Sequence, residues 1–120
     1  MISIILILLA SIFNSCMDVL KTRWSKSIFR FWPNQDWIDP TKSWKNKWMS
    51  KYNWVDFIMS TSLVFLTDFW HLCKFLMIVL FCLSAILYKP LMNNILDLLI
   101  FYCTFTITFE VFYSKILIKK

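Results

Sequence analysis

Apolar and polar positions segregate along this chain into long blocks rather than alternating within turns or strands. The first apolar run, residues 2–20 (ISIILILLASIFNSCMDVL), nearly matches the roughly 20 residues a helix needs to cross a hydrocarbon core. A polar, basic and aromatic segment follows over residues 21–54. Residues 55–88 are again apolar; as a helix they would reach about 50 Å, too long for one crossing and too short for two. The pattern therefore predicts a crossing at 69–88, with 55–67 lying at the interface or continuing as a tilted helix. KPLMNN turns the chain, with Pro90 as punctuation and Asn93 and Asn94 suited to a turn or a helix start. A third crossing is expected at 91–113. The predicted class is all-α: one multi-pass membrane domain over 1–120, with about three transmembrane helices and an interfacial Trp/Lys-rich segment.

Helical periodicity assigns faces to these elements. In the first helix Ser3, Ala10, Ser11, Asn14 and Asp18 share a side. In the second, Thr67, His71 and Lys74 fall on the stripe of Ser60, flanked by Asp68 and continued by Cys82 and Ala85. In the third, Asn93, Asp97, Thr104 and Thr108 align, while Glu110 points elsewhere. Small and polar residues let membrane helices approach, so the expectation is a bundle whose polar stripes face inward.

Charge adds orientation. The net charge is +6, and eight of the 13 Lys and Arg fall between Lys21 and Lys51, with Lys115, Lys119 and Lys120 at the tail. Basic blocks beside apolar runs remain cytoplasmic, which predicts an outside N-terminus, an inside 21–54 segment and an inside C-terminus, in the cell (inner) membrane. A nucleic-acid patch would need a soluble body to carry it, and none is seen, so no nucleic-acid partner is expected. Glycine is absent, which excludes a P-loop, a dinucleotide fingerprint, a nucleophile elbow and a GxxxG packing motif. No cofactor is implied.

Six of the seven tryptophans, Trp24, Trp32, Trp37, Trp44, Trp48 and Trp54, lie in the polar segment. Indole favours the headgroup layer, where the ring is half buried and its N–H stays wet. FWPNQDWIDP should be extended or turning. After it Asp39 caps a helix with Pro40 at its first position. That helix would place Trp44, Trp48 and Tyr52 on one face, with lysines reaching anionic headgroups. The partners expected are thus the bilayer and anionic lipid headgroups, together with a second copy or another membrane protein.

The four cysteines, Cys16, Cys73, Cys82 and Cys103, sit inside apolar runs without metal-ligand spacing and read as small buried hydrophobes. FNSC resembles a lipoprotein cleavage box ending at Cys16. Phe13, the uncharged start and the continuing apolar run argue instead for an uncleaved helix.

The chemistry concentrates in STSLVFLTDFWHLCKF, where Asp68, His71 and Lys74 interrupt an apolar run. An ionised group in mid-membrane costs roughly 2.5–3.5 kcal/mol. Two readings stand: Asp68 and Lys74 snorkel while His71 packs neutral, or Asn14, Asp18, Asp68 and His71, with Lys74 slightly deeper, form one polar cluster in the cytoplasmic leaflet. Asp68 and His71 at i, i+3, with Asp18 as a third ligand, are the metal candidates, and Cys73, two residues from His71, reads instead as a small buried hydrophobe. Asp97, at the opposite end, is expected to find Lys89.

Three stretches, FNSCMDVL, PTKSWKNKW and STSLVFLTDFWHLCKF, resemble small integral membrane proteins of Bacteroidota and their phages. The positions that match are Asn14, Met17, Asp18, Ser43, Trp44, Asn46, Lys47, Thr67, Asp68, Trp70 and His71, over roughly residues 10–76. MSKYNWVDF departs where that family is expected to have a glycine-containing loop. The resemblance implies the membrane class and no activity. The leading function is a non-enzymatic membrane protein binding lipid or a partner. Alternatives are a membrane-embedded enzyme or proton- or metal-handling protein using Asp18, Asp68 and His71, and a phage lysis protein, similar to holins in its three spans and basic tail.

Overall fold

The computed structural model describes residues 1–119; Lys120 of the basic tail lies outside them. Six α-helices occur among the described residues: α1 (Ile2–Thr22), α2 (Gln35–Ile38), α3 (Pro40–Ser43), α4 (Asn53–Ser60), α5 (Phe69–Ile86) and α6 (Asn94–Val111). The all-α expectation is borne out: among the described residues there is no strand, only an isolated bridge between Ser27 and Ile118. Among the described residues three helices are long and apolar enough to cross a membrane, Ile2–Thr22, Phe69–Ile86 and Asn94–Ile116, the last extended by a π-turn over Phe112–Ile116. At 21, 18 and 23 residues they reach about 32, 27 and 35 Å, against a hydrocarbon core of about 30 Å.

α1 is the central helix, and α5 and α6 pack against it within a molecule only 18 Å thick. α5 runs antiparallel to α1. At one end the Ser3 hydroxyl donates to Ser84 O at 3.1 Å and the Ser84 hydroxyl returns a bond to Ser3 O at 3.3 Å. At the other end Cys16 and Cys73 meet in the buried core. Ala10 and Ser11 are fully buried, and Ser11 Oγ donates to Phe105 O at 2.6 Å, stitching α1 to α6. Small residues permit this approach, and hydroxyl-to-carbonyl bonds join helices where no water competes.

The helices present different faces from those expected. On α5, Cys82 and Ala85 are exposed, and the buried line toward α1 runs through Cys73 and Ser84. On α6, Thr104 and Thr108 line an open groove with Leu96, Leu99 and Ile107 of the same helix. What α6 turns inward is an aromatic ladder spaced four residues apart: Phe101, Phe105, Phe109 and Tyr113. Phe101 meets Tyr88 at 5.9 Å, Phe105 meets Phe81 at 5.7 Å, and Phe109 stacks on Tyr113 at 5.3 Å. Tyr113 reaches the end of α1, its hydroxyl 3.0 Å from Thr22 Oγ1 and its ring under Arg23 at 4.3 Å. Large rings cover more surface than threonine methyls, so they win the inward face.

Asp97 pairs differently from the expectation. Its carboxylate, 1% exposed, accepts from Tyr88 Oη at 2.6 Å and from the amides of Leu91 and Met92 at 2.9 and 3.2 Å, not from Lys89. Asn93 caps α6, accepting from Leu96 N at 2.9 Å, as expected of a helix start. One carboxylate thus closes the whole α5–α6 loop. Asp97→Ala is expected to speed amide hydrogen exchange at Leu91 and Met92 at least tenfold, leaving exchange inside α1 unchanged; equal rates in both proteins would show that the loop holds itself.

The polar segment is a folded cap, not one interfacial helix. Asp39 does cap α3, accepting from Thr41 N at 2.9 Å with Pro40 at the first position. The helix stops at Ser43, however, and only a 3-10 turn (Asn46–Trp48) follows. The expected Trp44–Trp48–Tyr52 face therefore does not form. Asn46 explains the stop: its amide donates to Asp36 O at 3.0 Å and Thr67 O at 2.8 Å, pinning the chain to two distant carbonyls. The continuous element expected over 55–67 is also interrupted. α4 ends at Ser60, where Leu63 N returns to Ile58 O at 3.0 Å, and a separate 3-10 turn covers Val64–Leu66.

The cap carries its own core. Phe29, Ile38 and Leu117 bury themselves against Cys16, Met17, Leu20 and Cys73 at the ends of α1 and α5. The tail joins in, Ile28 N donating to Leu117 O at 3.0 Å and Lys119 N to Lys26 O at 2.8 Å.

Candidate functional site

α5 starts at Phe69, which makes Asp68 its N-cap rather than a mid-helix charge. One carboxylate oxygen, Oδ1, accepts from His71 N at 2.8 Å. The other, Oδ2, lies 2.7 Å from His71 Nδ1. Thr67 Oγ1 lies 3.4 Å from the same oxygen and 2.7 Å from Val64 O. The Asp68 side chain accepting from the amide three residues on is the first half of a capping box, but the His71 side chain returns to the Asp68 carboxylate rather than to its backbone N–H. The carboxylate is thereby satisfied by its own helix, which removes the difficulty of a lone charge in an apolar stretch.

This pair opens onto a cleft of about 370 Å³ at the Trp-rich end. Lys21 lines it from the end of α1, Pro40, Thr41, Ser43 and Trp44 from the cap, and Asp68, Trp70 and His71 from α5. The imidazole meets the Trp70 ring edge-on at 4.9 Å. Its side chain is 23% exposed, against 4% for Asp68, so the imidazole and not the carboxylate is what a ligand meets. Lys74 is exposed and lies 5.4 Å from the Trp70 ring centre, outside the hydrogen bonds of the pair.

Of the expected polar cluster, the structure brings Asp68 and His71 together. Asn14 lines a separate open groove with Phe105, Thr106, Phe109 and Glu110 on the α6 side. Asp18 is half-buried, and its backbone carbonyl accepts from Thr22 Oγ1 at 2.6 Å. Among the described residues no three His, Cys, Asp or Glu side chains gather as a metal site, so Asp18 does not complete a ligand set with Asp68 and His71. The tryptophans divide. Trp24 and Trp37 pack against the cap core, Trp37 donating its indole N–H to Leu66 O at 3.2 Å. Trp32, Trp44, Trp48 and Trp54 are 45%, 54%, 55% and 65% exposed and stand on the surface.

Sequence reasoning did not place Lys21, Thr41 or Ser43 beside His71. The signal available was indirect: Asp39–Pro40 starts a helix whose first residues must lie near whatever Asn46 grips.

Fold and site together define a chain with three long apolar helices, closed at one end by a Trp- and Lys-rich cap. No protein-family model, no curated protein and no solved structure matches it.

Proposed function

We propose that this chain is an integral membrane protein with three crossings, its N-terminus outside and its cap and C-terminus at the cytoplasmic face of the cell membrane, and that it binds lipid headgroups without chemical turnover. Two features support the membrane reading. α5 and α6 expose Phe75, Ile78, Leu98, Leu99 and Ile107 along their length, surface that only lipid or another helix would cover favourably. The cap concentrates basic residues, as cytoplasmic segments do. The observation that carries the binding reading is the cleft, in which the ends of two spanning helices and the cap converge at the depth where the apolar runs stop. Lysine and indole at that depth suit phosphate and the headgroup layer.

Two measurements test this. A reporter fused after Lys51 is expected to read out as cytoplasmic. In vesicles, Trp44→Phe with Trp48→Phe is expected to remove most of the fluorescence quenched by shallow lipid-borne quenchers and little of that reached by aqueous ones. An external reporter would reverse the orientation, and loss confined to the aqueous-quenched fraction would make the cap a solvated domain.

A further inference from the structure

The cleft carries more than a positive charge, and its hydrogen-bonding capacity narrows the ligand. Asp68 takes both polar groups His71 offers on its side, the backbone N–H at 2.8 Å and Nδ1 at 2.7 Å. A carboxylate beside an imidazole nitrogen makes that nitrogen the protonated one, so the neutral ring keeps its lone pair on Nε2. Nε2 has no partner among the described hydrogen bonds, and the ring lines the cleft. Across the opening, Thr41 has spent its hydroxyl proton on Asp39 Oδ1 at 2.8 Å. Lys21 supplies the cation of the cleft. A ligand entering here therefore meets the oriented acceptor Nε2, the hydroxyl oxygens of Thr41 and Ser43, one cation and two indoles, those of Trp44 and Trp70.

We propose that the cleft selects phospholipids whose headgroup carries its own hydrogen-bond donor. The ammonium of ethanolamine or the hydroxyl of glycerol donates to His71 Nε2, while the phosphate meets Lys21 Nζ. Choline, with neither N–H nor O–H, offers Nε2 no donor. Asp68 is the positioning residue: it sets which ring nitrogen faces the lipid. This rests on the headgroup-binding reading above and adds the class of headgroup.

Ethanolamine and choline lipids have the same net charge, so comparing them isolates the donor from electrostatics. The full chain is incorporated into nanodiscs holding equal amounts of phosphatidylethanolamine, phosphatidylglycerol and phosphatidylcholine, then released, and retained lipids are counted by native mass spectrometry. The expected result is a fivefold to tenfold preference for ethanolamine and glycerol lipids over choline lipid, about one hydrogen bond's worth. His71→Phe, which keeps an aromatic ring beside Trp70, is expected to bring that ratio to parity, with retention of ethanolamine and glycerol lipids falling to the level of choline lipid. His71→Gln, which restores an acceptor, is expected to recover part of it. Choline lipid retained as well as ethanolamine lipid, or a preference that survives His71→Phe, overturns the proposal while leaving headgroup binding intact. Retention of no lipid at all overturns both. Displacement of bound lipid by water-soluble glycerophosphoethanolamine at matching concentration would make the ligand a free headgroup and overturn the lipid assignment.

Discussion

Phe29→Ala is expected to release the cap from the helix ends at a cost of about 3–5 kcal/mol, the range for deleting a buried phenylalanine. The ring is 2% exposed and sits at the centre of an aromatic cluster. Trp32 meets it edge-on at 5.0 Å and Phe69, the first residue of α5, at 5.3 Å; Trp37 then meets Phe69 at 5.6 Å. Leu20 of α1 and Leu117 of the tail share the same core. Removing the ring therefore loosens three chain segments at once. The two backbone bonds that tie the tail to residues 26–28 depend on that packing and should open with it. Unfolding in detergent would give the loss of stability, and hydrogen exchange would locate it, with protection lost at Ile28 and Lys119 and kept at the Ser3–Ser84 end of α1. A loss under about 1 kcal/mol, or one spread evenly along α1, would mean that the cap does not fold around Phe29.

The parts of this fold that are legible in the sequence are those decided locally. A helix in lipid must satisfy its own backbone, and the long apolar blocks fold as helices long enough to span a bilayer. Asp39 before Pro40 and Asn93 before an apolar run are likewise local signals, and both caps form. Which side of each helix faces its neighbour is another matter. With lipid as apolar as leucine, burial gives no preference, and packing shape decides. The aromatic ladder of α6 thus displaces the threonine stripe, and on α5 Ser84 takes the place expected for Cys82 and Ala85. The cap was the least legible part because its bonds are long-range. Asn46 reaches Thr67, and Phe29 reaches Phe69, across spans that no periodicity encodes. The cleft inherits that difficulty, since half its lining comes from the cap. Asp68 and His71 were found as a pair from their spacing, yet as two groups on a helix face. The nearby Thr67 and the apolar residues after Asp68 mark the helix start that makes them cap and partner.

Asp68 is therefore where fold and site meet, and its substitutions separate the two roles. Asp68→Ala removes the cap of α5 and leaves His71 N and Nδ1 without their acceptor; an N-cap is worth about 1 kcal/mol and the second lost bond adds to it, so a loss of about 1–2 kcal/mol is expected. Asparagine caps a helix nearly as well as aspartate, so Asp68→Asn should keep most of that stability. What asparagine gives up is the charge-assisted bond to the imidazole, and with it the control over which nitrogen faces the cleft. Stability and headgroup selectivity should consequently part company: Asp68→Asn stays folded and loses selectivity, whereas His71→Phe loses selectivity with its cap bond still made by the backbone. In a double-mutant cycle, Asp68→Ala and His71→Ala share the Oδ2–Nδ1 bond and should couple by about 1 kcal/mol or more. Thermal unfolding of the four proteins in one detergent measures this directly. Effects that simply add would show that the 2.7 Å pair contributes nothing as a pair, and the oriented acceptor in the cleft would lose its physical basis.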